Sequence, residues 1–192
     1  MKKTSKDSRA SAQDSKNATS LPDGLRLNIG SGKDWRADFI NADIQPEKNP
    51  DWVLDITNVP WGQSISTRLG KFKVERESFS VILANDVLEH IPDLVKAMTN
   101  CKDLLKHGGQ MHIHVPYDLS RGAWQDPTHV RAFNENSWLY YTDWHWYLNW
   151  KDRFTLTSLT FHKNPDIDCP DELLTMTPRA IDSMSVVLTK QG

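Results

Sequence analysis

The stretch Leu27-Asn28-Ile29-Gly30-Ser31-Gly32, followed after ten further residues by Asp43, decides the fold. Leu25, Leu27 and Ile29 alternate with Arg26 and Asn28, which is the period of a β-strand. Gly30-Ser31-Gly32 ends that strand in a turn. Phe39-Ile40 leads into a second short strand that stops at the acidic Asp43, and Trp52-Val53-Leu54 leads into a third that stops at Asp55-Ile56. The run Phe79-Ser80-Val81-Ile82-Leu83-Ala84 is apolar enough for a strand covered on both faces and ends at Asn85-Asp86. Polar clusters therefore recur at the carboxyl ends of successive strands. In open α/β sheets that edge is where ligands bind.

Downstream, Pro92 is expected to open a helix whose apolar positions are Leu94, Ala97, Met98, Cys101, Leu104 and Leu105, spaced close to 3.6. His107-Gly108-Gly109 is expected to stop it. Met111, Ile113 and Val115 read as a fifth strand ended by Pro116. Phe154–Thr157 and Met184–Leu188 read as C-terminal strands. Alternation of strand, polar turn and helix predicts an open, layered α/β sheet.

The chain has 192 residues, enough for one domain with its own core. Residues 1–20 hold no Leu, Ile, Val or aromatic residue and carry five basic against two acidic groups. Such a segment cannot bury enough apolar surface to order itself, so a disordered tail is expected, with the folded domain spanning 21–192. The tail lacks the apolar stretch of a signal peptide, and no apolar run could span a bilayer. The remaining residues are net acidic, which argues against a nucleic-acid partner. Two cysteines, Cys101 and Cys169, make neither a disulfide framework nor a zinc site, and a reducing, cytoplasmic setting is expected.

The glycine turn excludes some ligands. A dinucleotide fingerprint needs a third glycine where Trp35 stands, and a P-loop needs Ser or Thr where Asp34 follows Lys33. An adenosine-type ligand of low negative charge remains: glycines permit close backbone approach, and a carboxylate receives the ribose hydroxyls.

With Ile40-Asn41-Ala42-Asp43-Ile44, Val53-Leu54-Asp55-Ile56, Asn85-Asp86-Val87-Leu88-Glu89-His90-Ile91 and Leu104-Leu105-Lys106-His107-Gly108-Gly109 added in order, residues 25–117 resemble the class I S-adenosylmethionine-dependent methyltransferases. The resemblance is strongest to the type 11-like branch with a Leu-Glu-His signature after the fourth strand. It implies a Rossmann-like three-layer α/β/α fold of about seven strands, the last antiparallel, with S-adenosylmethionine as methyl donor. By position, Asn28, Gly30, Ser31 and Gly32 would line the donor, Asp43 would take the ribose hydroxyls, and Ile44 belongs to the same cofactor-binding set. Asp55 and Ile56 would meet the adenine. Asn85, Asp86 and His90 would close the methionine side. The ten residues between Gly32 and Asp43 are too few for a full crossover helix. The first helix is therefore expected to shrink to a turn around Lys33–Ala37.

After the fifth strand, residues 118–150 form an aromatic insert on the substrate side, with nine of the chain's eighteen aromatics between Trp124 and Trp150. Most of these are expected to be its core, with Trp124 the one facing a ligand. Asp126-Pro127-Thr128-His129-Val130-Arg131 resembles a stretch seen in some members of the same branch. Asp126, His129 and Arg131 could orient a hydrophilic acceptor, with His129 the leading base and His90 an alternative, or Asp126 and Arg131 could brace the insert. His112 and His114 share a strand face and could frame a metal with Asp126 or His129. Strand histidines under a covering helix are commoner, and no metal is assigned. Two functions follow: S-adenosylmethionine-dependent methylation of a small polar metabolite or saccharide, expected on an oxygen, or a catalytically silent cofactor-binding relative acting as a protein-interaction module.

Overall fold

The computed structural model describes residues 24–192; the predicted tail and Leu21–Asp23 lie outside the described residues. The strands are β1 (Leu25–Ile29), β2 (Ile40–Asp43), β3 (Trp52–Val53), β4 (Ser64–Thr67), β5 (Gly70–Lys73), β6 (Phe79–Asn85), β7 (Leu105–Pro116), β8 (Phe154–Lys163) and β9 (Ile181–Lys190). The helices are α1 (Leu94–Leu104) and the single-turn α2 (Gly122–Gln125). Seven strands form one sheet in the order β3-β2-β1-β6-β7-β9-β8. β9 runs antiparallel to both of its neighbours, and the pairs from β3 through β7 are parallel. The predicted mixed sheet with an antiparallel last strand is thus the fold.

Sequence order reverses between β1 and β6, so this central pair opens the crevice where an α/β sheet takes its ligand. Leu27 and Ile29 of β1 and Phe79, Ile82 and Ala84 of β6 are buried there. On α1, Leu94, Ala97, Met98, Cys101 and Leu104 are buried as one stripe. Burial pushes the Cys101 thiol up to about 12, so this cysteine is a core residue and an unreactive one.

Several boundaries differ from the sequence reading. α1 begins at Leu94, not at Pro92, because the Asp93 side chain caps it by accepting from the Lys96 amide. The helix passes at Leu105 directly into β7. His107-Gly108-Gly109 lies inside that strand as a bulge, where pairing with β6 jumps from Phe79–Leu105 to Val81–Gln110. Gly108 takes the positive φ that this bulge needs.

Between Gly32 and Asp43 no helix forms; turns at Gly32-Lys33 and Ala37-Asp38 flank an irregular stretch. A loop without helical hydrogen bonds leaves its carbonyls to find other donors. Asn41 donates to the carbonyls of Arg36 and Phe39. Arg68 donates to those of Arg36, Ala37 and Phe39, pairs with the buried Asp51 at 3.3 Å, and lies over the Trp35 ring at 4.2 Å. Arg68 sits in the turn of the β4–β5 hairpin, an element the sequence reading did not foresee. The hairpin stands between β3 and β6 and anchors Phe72 edge-on against Trp52 and Phe79.

The insert after β7 turns through α2 and returns where Phe133 bridges Tyr117. The expectation of a mostly aromatic core is corrected: Phe133, Trp138, Tyr141 and Trp150 are buried, whereas Trp124, Tyr140, Trp144, Trp146 and Tyr147 are exposed. Phe133 and Trp138 stack at 5.5 Å. Trp150 donates to Thr99 and receives Lys102 over its ring, which fixes the end of the insert on α1. Among the described residues no helix is long and apolar enough to cross a membrane.

Candidate functional site

A cleft of about 750 Å³ opens at the carboxyl edge of β1, β2 and β6, a volume ordinary for a cofactor site. Gly30, Gly32, Asp43, Ile44, Asp55, Ile56, Asp86 and His90 all line it. Stretches separated by more than fifty residues in the chain therefore meet on one surface. Gln45, Lys48, Leu54, Thr57, Val87 and Thr128 also line it and were not foreseen. Thr128 was within sight, since Asp126-x-Thr128 is the spacing at which an Asp side chain accepts from the residue two positions on.

The glycines are required by space. Gly30 has a φ of +61°, and a Cβ there would stand 2.3 Å from Val87 Cγ2. Gly32 also has positive φ, and its amide donates to Asp43 Oδ2 at 2.8 Å. Asp43 Oδ1 accepts from the Gln45 amide. Asp43 is thus a fixed, nearly buried carboxylate at the head of the cleft, and each oxygen keeps a lone pair for a ligand hydroxyl. Asp55 accepts from the Thr57 amide and hydroxyl. Ile56 gives its carbonyl to the buried Asn100 of α1, which ties this loop to the helix.

Asn28, Ser31 and Asn85 do not line the cleft; they hold its rim. Asn28 donates to the Asp34 carbonyl and to Asn41, and Asn85 donates to the Asp34 carboxylate. The Ser31 amide donates to the Ala42 carbonyl. Asp86 takes positive φ and pairs with His114 Nδ1 at 2.9 Å. That hydrogen bond raises the His114 pKa above the usual histidine value, with partial burial opposing it.

The segment beyond β7 comes over the Leu-Glu-His turn because the Val130 amide donates to the Glu89 carbonyl. Thr128 donates its one hydroxyl proton to Asp126 Oδ1 at 2.7 Å, so it must accept at 2.9 Å from His90 Nδ1. Those bonds from Thr128 hold the Asp126 carboxyl below the usual carboxylate range. His129 has its ring beside that of His90, centroids 4.6 Å apart. Its Nδ1 faces the Ala123 carbonyl at 3.0 Å, and its Nε2 stands 4.0 Å from Asp126. Grouped with them is Glu89, 1% exposed, with neither carboxylate oxygen hydrogen-bonded. Burial pushes its carboxyl up to about 7, with Asp86 adding to the rise.

Arg131 points elsewhere. It donates to the carbonyls of Ile91 and Pro92 and so braces the approach to α1. Trp124 is two-thirds exposed and donates its indole N–H to the Asp118 carbonyl; it does not line the cleft. His112 bonds to Gln110, and His114 is shared between Asp86 and Ser183. The described residues contain one cluster of three side chains within ligation reach, Glu89, His90 and His129, and neither strand histidine belongs to it.

A glycine turn, a fixed carboxylate at the end of β2 and a seven-stranded sheet with a reversed last strand are the features of a class I methyltransferase fold. Residues 15–160 match the family described as "Methyltransferase domain", and the chain belongs to that family. Membership implies a site for S-adenosylmethionine. A search of the curated proteins finds no match. Among solved structures, a SAM dependent methyltransferase from Archaeoglobus fulgidus is similar at 14% identity and a TM-score of 0.59, over 88% of this chain and 87% of that one. The YcgJ protein from Bacillus subtilis is similar at 14% identity and 0.52, over 91% and 94%. The cyclase SpnF is similar at 12% identity and 0.55, over 88% and 76%. At these identities the likeness concerns the fold.

Proposed function

We propose that the chain, a relative of the Leu-Glu-His branch, transfers the methyl group of S-adenosylmethionine to an oxygen of a small polar metabolite or saccharide. The observation that carries this reading is the convergence of Gly30, Gly32, Asp43, Asp55-Ile56 and His90 on one cleft. In this reading Asp43 receives the ribose hydroxyls, Ile44 and Ile56 flank the adenine, and Asp86 faces the methionine end. Thr128 and His90 line the same cleft, and Asp126 stands behind them through the Thr128 hydroxyl. This polar edge orients the acceptor, and its proton passes to an imidazole lone pair, with His129 the leading base and His90 beside it. Methyl transfer then asks chiefly for alignment, since the sulfonium is already reactive.

Incubating the full chain with methyl-labelled donor and a small-molecule cell extract tests the reading. Label is expected in a low-mass polar product, stable to the mild base that cleaves methyl esters. Donor binding with no transfer to any extract would favour the catalytically silent relative that binds the cofactor and acts through a partner protein.

A further inference from the structure

The Leu-Glu-His turn and the segment from Asp126 to Val130 bring together three acceptors and no donor. The Thr128 hydroxyl proton is committed to Asp126, so His90 must carry its own proton on Nδ1 to meet Thr128. His129 likewise directs Nδ1–H at the Ala123 carbonyl. In the neutral ring each histidine is left with an Nε2 lone pair. The third member, Glu89, is almost fully buried and has both carboxylate oxygens without a hydrogen-bond partner. One ligand atom from each of the three lies within 4.8 Å of the others. A buried, unpartnered carboxylate with two imidazoles grouped around it is costly unless something positive sits among them.

We propose that Glu89, His90 and His129 bind a divalent transition cation of the Zn²⁺ type at the wall of the cleft. Two imidazoles and one carboxylate suit such an ion and not Mg²⁺ or Ca²⁺, which take oxygen ligands. The bonds from His90 to Thr128 and from His129 to Ala123 are the outer partners that orient metal-ligating histidines. Coordination at about 2.0–2.2 Å requires the three atoms to draw together by about an ångström, within reach of side-chain rotation. Three protein ligands leave a coordination position open, and His90 places the site beside the cleft. The proposal stands whether or not the chain transfers methyl groups; with the ion bound, the Nε2 lone pairs of His90 and His129 are occupied, so proton removal by either histidine belongs to the ion-free state.

The test uses the full chain, stripped with chelator and titrated with Co²⁺, whose visible absorption reports low-coordinate nitrogen and oxygen ligation. One Co²⁺ per chain is expected, displaced by Zn²⁺. Glu89→Gln and His129→Gln should each weaken it by more than the roughly 10–100-fold that loss of an outer partner costs. His107→Gln, at the opposite end of β7 beside Glu77, should leave it unchanged. Nitrogen-edited spectra of the unaltered chain supply a readout that needs no variant to fold: Zn²⁺ should move the Nε2 signals of two histidines. Absence of stoichiometric Co²⁺ binding would overturn the proposal and leave a shared proton as the cluster's cation. So would binding that survives Glu89→Gln undiminished.

Discussion

Replacing Arg68 by Ala is expected to destabilise the fold by about 2–4 kcal/mol, since three charge-assisted bonds to loop carbonyls and the partner of a largely buried carboxylate are lost together. The guanidinium serves three loop carbonyls and Asp51, whose side chain is 7% exposed. Asp51 keeps its bonds from Asn41, which holds the loss below that of a wholly orphaned charge. For a chain of this size the melting temperature should fall by on the order of 10 °C. Thermal unfolding followed by circular dichroism measures it. Donor affinity should fall as well, because the stretch that Arg68 holds is the one that follows Gly32. An unchanged melting temperature would mean that the loop is held by Asn41 alone.

Asp43→Ala is expected to act on binding more than on folding. It removes the acceptor for the Gly32 and Gln45 amides as well as the carboxylate proposed to face the ribose. Affinity for S-adenosylmethionine should fall by about 1–3 kcal/mol, roughly 5–150-fold. Asp43→Asn separates the two contributions. It can still accept from the Gly32 amide but presents an N–H to one of the ribose hydroxyls. Equilibrium dialysis with labelled donor reads both. Equal affinity in all three proteins would move the ribose site away from the end of β2.

The strand ends were legible because the chemistry there is local. A glycine with positive φ, a carboxylate after an apolar run and an apolar stretch too long to be half-exposed each announce themselves within a few residues. Gly30, Asp43 and the β6 run are of that kind. The hairpin was not legible, because Ser64–Thr67 and Gly70–Lys73 expose alternate residues and carry one strongly buried side chain, Phe72. The role of Arg68 depends on carbonyls about thirty residues away, which no local pattern displays. The ten-residue spacing did announce a missing helix, but not what would take over its hydrogen bonds. In the segment after β7 the residue types were informative and their directions were not. Arg131 and Trp124 spend their donors on backbone carbonyls, while Thr128, between Asp126 and His129, is the residue of that stretch that lines the cleft. Glu89 shows the same limit: its place in a Leu-Glu-His turn says nothing of burial, and burial makes it unusual.

Calorimetric titration of the full chain with S-adenosylmethionine, and separately with NAD, tests the central claim most directly. One donor molecule per chain is expected, with a dissociation constant of micromolar order, and no heat from NAD, because Trp35 occupies the place of the third glycine. No measurable heat from the donor, or saturable binding of NAD in its place, would contradict the account.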